Sequence, residues 1–241
     1  MIFAKIKNNL LDPAYYFSQI LGLLSSSFLI ILWLYLSKLK LVQLSNIQII
    51  LYFISIYSYF YLFTYSLIDR LAARLATGSQ SFLLSPKSVY TTLFVKDYLP
   101  ILVDNIPLIF LSLLLVIFTG VLPLNKLIYF IFLQFTVHLI YFFTSVIGAI
   151  FQLLLNWGFI SFSFRFIGQT WNGSYIPLIF LSGGFLSFAL FLPIFYSGIP
   201  FQLLLVQDLD YRLIINLFVF LFISFTMSYL LLARFKTHVQ E

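Results

Sequence analysis

Apolar residues run almost uninterrupted along the chain, in stretches of about 20 residues separated by short segments that hold most of the charge. A helix rises about 1.5 Å per residue, so each stretch is long enough to cross a hydrocarbon core of about 30 Å. The pattern predicts six spans, at residues 17–37, 47–67, 99–122, 127–150, 174–197 and 213–233. The fold class is all-α and polytopic, a single transmembrane domain over residues 1–241. Residues 1–16 read as an amphipathic interfacial helix and 68–98 as the one sizeable cytoplasmic segment; 174–212 holds span five and an external segment. The stretch 151–173 is too apolar for a free loop and carries Arg165 near its middle. It is read as a cytoplasmic continuation of span four plus an interfacial helix, with a seventh span or a re-entrant piece as the alternative.

Composition sharpens this picture. Of 241 residues, 62% are hydrophobic and 8% charged, against about 25% charged in a soluble domain; a soluble globular protein is excluded. Disorder is excluded too, because the surplus is apolar surface. Cysteine is absent, which removes disulfides and thiolate chemistry, and two histidines with seven acids leave little for metal or acid–base work. The first apolar run follows Lys5, Lys7 and Asp12 without a small-residue cleavage site, so it reads as a retained span, not a signal peptide. With the N-terminus inside, Lys5, Lys7, Arg70, Arg74, Lys87, Lys96, Arg165, Arg234 and Lys236 are cytoplasmic, against Lys38, Lys40, Lys126 and Arg212 outside. That asymmetry favours both termini in the cytoplasm. The net charge of +6 is then accounted for by the anionic inner leaflet, and no nucleic acid is needed.

Within 68–98, Ile68, Leu71 and Leu75 recur at helical spacing while Arg70 and Arg74 fall on another face. Span two is therefore expected to run on into water until Gly78 stops it in a left-handed cap. A short apolar piece, Phe82-Leu83-Leu84, follows; Ser85 is a candidate N-cap with Pro86 at the first helical position. Val89, Tyr90, Leu93 and Phe94 make the next apolar stripe, with Lys87, Ser88, Thr91 and Lys96 mostly off it. Such a helix lies in the interface and leaves the Gly78 to Pro86 turn projecting toward the cytoplasm. An ordinary amphipathic linker has the same pattern.

These residues resemble the transmembrane subunits of type-2 ABC export systems, the bacterial six-span permeases whose ATPase is a separate chain. In that family a glycine, a few apolar residues, then leucine, a variable residue and proline follow span two, as in Gly78-Ser-Gln-Ser-Phe-Leu83-Leu84-Ser85-Pro86. A basic amphipathic start, Tyr15 and Tyr16, a first span ending near Trp33, and Tyr175-Ile176-Pro177 with Pro193 and Pro200 farther on are similar as well. The chain departs from the pattern at Leu181-Ser182-Gly183-Gly184 and around Gln207 and Asp208.

The resemblance implies a permease in a bacterial cytoplasmic membrane, paired with an identical or sister permease subunit. Each would dock an ABC ATPase through the turn after Gly78, with Arg70, Arg74, Phe82, Leu83, Leu84, Ser85, Pro86 and Lys87 around it. No GxxxxGK[ST] occurs here, so ATP and magnesium would be held by the partner and the chain itself would carry no catalytic residue or metal.

Polar residues inside spans are costly and face protein or water. Gln134, His138, Tyr141 and Ser145 share one face of span four, where they line a translocation path or subunit seam, or simply hydrogen-bond between helices. Asp104 and Asn105, with Pro107 behind them, read as a hydrated helix entrance. Pro177, Gly183, Gly184, Pro193 and Pro200 are candidates for an outer gate, with packing as the alternative, and Asp208, Asp210 and Arg212 form an external charge cluster. The 31 Phe and 16 Tyr suit membrane lipids or lipophilic compounds and name no substrate. Other classes compatible with the hydropathy are an ion-coupled secondary transporter, for which Asp104 is thin support, and a non-transporting scaffold or immunity protein. An intramembrane enzyme lacks its ligands, since glutamate occurs only at Glu241.

Overall fold

The computed structural model describes residues 13–64, 67–84, 89–155, 159–160, 162–163, 175–177, 180, 198–206 and 211–240. Among them there is no strand. The helices are α1 (Pro13–Lys38), α2 (Asn46–Thr64), α3 (Leu67–Leu84), α4 (Val89–Thr119), α5 (Leu124–Leu155), the single turn α6 (Ile199–Gln202) and α7 (Tyr211–Gln240). Among the described residues three helices are long and apolar enough to cross a membrane: α4, α5 and residues Tyr211–Phe235 of α7. Their outward faces expose Phe110, Phe118, Ile131, Phe132 and Phe222, a surface that only lipid or another apolar partner can cover.

Local chemistry sets the helix ends. At the close of α1 the Lys40 N–H donates to the Ser37 carbonyl and the Leu41 N–H to the Leu36 carbonyl, the paired bonds of a left-handed helix stop, with Lys40 at φ 58°. At the start of α2, Ser45 and Gln48 cap reciprocally: the Gln48 N–H donates to Ser45 Oγ, and the Ser45 N–H to Gln48 Oε1. Gly120, at φ 63°, stops α4.

The centre of the bundle is α5, which packs along α3 and α7 and beneath α6, while α2 joins α1 to α4. Val146, Ala149, Ile150, Phe130 and Leu133 of α5 are wholly enclosed. Residues 198–205 are buried against the starts of α2 and α5: Gln48 Nε2 donates to the Leu205 carbonyl at 3.0 Å, and the rings of Phe130 and Phe201 meet at 5.8 Å. Trp33 lies near that same end, stacked on Phe180 at 5.1 Å, beside Phe53, and donating from Nε1 to the Tyr175 carbonyl at 3.1 Å.

Four sequence expectations are corrected. Gly78 does not stop a helix, because α3 runs through it to Leu84. Residues 89–98 are not a separate interfacial helix; they are the first part of α4, joined to the rest through a π-helical turn, Phe94–Tyr98. Span five was expected to start at Tyr175 from the cytoplasmic end of span four. Tyr175 instead sits beside Trp33, near the Phe130 end of α5, whereas Leu155 lies roughly 37 Å farther along the α5 axis. Finally, Asn105 is no hydrated entrance: it is completely buried, with Nδ2 donating to the Ile101 carbonyl and Oδ1 without a partner.

Candidate functional site

Helix α3 is the least apolar of the long helices in sequence, and one stripe of it is driven inward. Leu67, Ile68, Leu71, Ala72 and Leu75 are buried while Arg70, Ala73, Ala76 and Thr77 are exposed. The stripe expected from sequence is therefore real, but it lies against the bundle and does not stand free in water. Two polar bridges fix it. Near its start, Gln152 Nε2 of α5 donates to Asp69 Oδ1 at 3.0 Å. One and a half turns later Arg74 reaches α4, with Nε 3.2 and 3.1 Å from the two Asp97 oxygens and Nη2 2.9 Å from Oδ1.

This two-pronged contact matches the planar guanidinium to a planar carboxylate. Burial is asymmetric, since the Arg74 side chain is 39% exposed and that of Asp97 7%. Hydrogen bonding to Asp97 raises the Arg74 guanidinium above its ordinary value, against the opposing effect of burial.

Asp97 belongs to the π turn of α4, and so does Tyr98. The Tyr98 hydroxyl lies 2.7 Å from Nδ1 and 3.2 Å from the carbonyl oxygen of His138 on α5. One hydroxyl proton serves one of these acceptors at a time, so a short bond to Nδ1 sets the proton on the far imidazole nitrogen if Tyr98 donates to it. Phe94, Tyr98 and Phe142 enclose the turn in ring contacts of 5.3 to 5.4 Å. One turn before, Tyr90 donates to Ser228 Oγ of α7 at 3.0 Å. Ten residues at the start of α4 thus tie α3, α5 and α7 together. A π turn inside an α-helix is rare and is found frequently at functional sites.

The other residues singled out from sequence fall as follows. Gln134, Tyr141 and Ser145 are buried on one face of α5 and His138 is partly buried there, so the face is turned into this chain's own bundle; Ser145 Oγ has no hydrogen-bond partner. Phe82, Leu83 and Leu84 form the last turn of α3. Ser85, Pro86 and Lys87 lie outside the described residues, as do Gly183, Gly184, Pro193, Asp208, Asp210 and residues 1–12. Pro177 and Pro200 are both buried, Pro200 within α6. Arg212 is exposed against the ring of Tyr211. Among the described residues no group of three His, Asp or Glu side chains is placed to hold a metal ion.

Sequence reasoning missed Asp97 and Tyr98, and the signal was present. Asp97 is one of seven acids in the chain and directly precedes a tyrosine at the edge of a predicted span; an acid in such an apolar setting needs a cation. A scan against protein-family models finds no match to this chain, and neither does a search of curated proteins.

Proposed function

We propose that this chain is the membrane-spanning permease subunit of an ATP-binding-cassette exporter, moving its substrate out of the cytoplasm or inner leaflet. One observation carries the reading: an amphipathic helix, α3, is bonded through Arg74 to the first part of α4, which itself grips α5 and α7. A force applied to α3 is delivered to three apolar helices at once. That is the arrangement an outside motor requires, and it agrees with the Gly78 to Pro86 motif and its resemblance to ABC permeases.

In this reading both termini are cytoplasmic, the membrane is a bacterial cytoplasmic membrane, and the chain crosses it six times. A second permease subunit completes the path, and ATP with magnesium is bound and hydrolysed by a separate ATPase subunit. ATP closure of that partner shifts the population of span arrangements through its differential contact with α3 and the Gly78 to Pro86 motif.

The test is purification of the tagged chain from its native membrane in nanodiscs, with identification of co-purifying proteins and assay of vanadate-sensitive ATP hydrolysis. A Walker-type ATPase is expected, lost when Leu83→Asp and Leu84→Asp are introduced while the chain stays inserted. A folded oligomer free of ATPase would reject the reading in favour of a scaffold or an ion-coupled transporter.

A further inference from the structure

The π turn of α4 holds one residue more than an α-helix accommodates in the same rise. Its two consecutive residues Asp97 and Tyr98 are gripped by different helices, α3 through Arg74 and α5 through His138. Of the two grips, only the Arg74 side can be reached from outside: its side chain is 39% exposed, whereas Asp97 is enclosed at 7%. A carboxylate or phosphate presented to α3 therefore competes for the guanidinium and leaves Asp97 behind, buried and unpaired, the arrangement a low-dielectric interior tolerates least.

We infer that the Arg74–Asp97 pair is a release catch for this π turn: while it is closed the extra residue is retained, and when an anion draws Arg74 away the turn closes into α-helix. The consequence is geometric. With residues from Leu99 onward held in place, loss of the excess residue turns the first part of α4 by about 100° and moves it by about 1.5 Å. Each position before the turn is then taken by the following residue, so Thr91 replaces Tyr90 opposite Ser228 of α7. The proposal is independent of the permease reading, since it concerns two states of one helix whatever acts on α3.

The sequence has no cysteine, so introduced thiols are the only ones within it. Ser228→Cys is combined with Tyr90→Cys or with Thr91→Cys in native membranes and treated with a short bismaleimide. In the otherwise unaltered chain, cross-linking is expected at position 90. With Arg74→Gln added it is expected to move to position 91. Because Arg74→Gln strands a buried carboxylate and can unfold the chain, Asp97→Asn serves as the second variant. It opens the same pair, leaves the partly exposed guanidinium able to turn to water, and must by itself give the pattern at 91 in an inserted protein. Cross-linking that stays at 90 in a folded Arg74→Gln chain, or an Asp97→Asn chain that keeps the pattern at 90 or fails to insert, overturns the proposal.

Discussion

Gly148 of α5 faces Ile68 of α3 so closely that a Cβ at position 148 would stand 3.0 Å from Ile68 Cδ1 and 3.4 Å from its Cγ1. Ile68 is 4% exposed and has little room to yield. Replacing a mid-helix glycine by alanine gains about 0.8–1 kcal/mol of helix propensity, but here a methyl meets a packed side chain. We expect Gly148→Ala to be near neutral, Gly148→Val to lose about 1–3 kcal/mol, and Gly148→Ala with Ile68→Val to be more stable than the sum of its single changes, because Val lacks Cδ1. Reversible unfolding in mixed micelles across the four chains of this cycle measures the coupling; strict additivity would contradict the contact.

The unequal burial of Arg74 and Asp97 makes the two deletions unequal. Arg74→Ala leaves a carboxylate enclosed without a partner, whereas Asp97→Asn leaves a guanidinium that can turn to water. Fully buried pairs lose about 3–5 kcal/mol when one member is removed; with Arg74 partly solvated we expect about 1.5–3 kcal/mol for Arg74→Ala and about half that for Asp97→Asn. Equal losses in the two variants would show that Asp97 has access to water.

Alkaline pH is expected to leave the arginine side of this pair intact. Folding raises the Arg74 guanidinium above its ordinary value, chiefly through the hydrogen bonds to Asp97, and a base raised in the folded state contributes stability that is complete below its unfolded value and lost only above it. Stability differences between the native chain and Arg74→Ala should thus stay constant from pH 7 to about 11. A difference that fades within that window would point to a titrating group other than the guanidinium.

Tyr98→Phe removes a hydroxyl from His138 and keeps the ring contacts with Phe94 and Phe142. Interhelical hydrogen bonds in membranes contribute about 0.6 kcal/mol on average and at most about 1.7. We expect a loss within that range, and a smaller one in Tyr98→Phe made on a His138→Phe chain, where only the backbone carbonyl of residue 138 is left to accept. A larger loss would mean that the hydroxyl also organises the π turn.

Backbone conformation alone sets another pair of outcomes. Gly120 stops α4 at φ 63° with open space around its missing side chain, and Lys40 stops α1 at φ 58°. Gly120→Ala should cost about 1 kcal/mol with no steric clash, and Lys40→Gly should stabilise by about the same amount. If both changes are silent in unfolding experiments, these turns are not formed in the membrane.

The contrast between those two stops and Gly78 explains what sequence could and could not supply. Apolar periodicity located α1, α2, the body of α4, α5 and α7, because the helix period and bilayer thickness act on every residue in a run. It also found the buried stripe Ile68, Leu71 and Leu75 and the shared face of Gln134, His138, Tyr141 and Ser145. Helix stops were less legible. Gly78 lies inside α3, which runs six residues beyond it to Leu84, while a lysine serves as the left-handed stop of α1. The π turn leaves no local mark, since Phe94–Tyr98 has ordinary helical composition and is held open by residues 23 and 40 positions away. The end of the bundle near Trp33 was misread for the same reason. That Tyr175 belongs beside Trp33 depends on a contact across 142 residues, which no window of hydropathy can see.

Gln48 completes the cap of α2 with one side-chain atom and holds the Leu205 carbonyl with another, 157 residues downstream. At a synthesis rate of about 5–20 residues per second, the second of these bonds cannot form until roughly 8–30 seconds after the first becomes available. The start of α2 therefore waits, inserted and capped, for a segment the ribosome has not yet made. The end of the bundle where Gln48, Phe130 and Trp33 meet therefore closes late, followed only by the docking of α7, and for most of the chain's synthesis it lacks the segment that covers it.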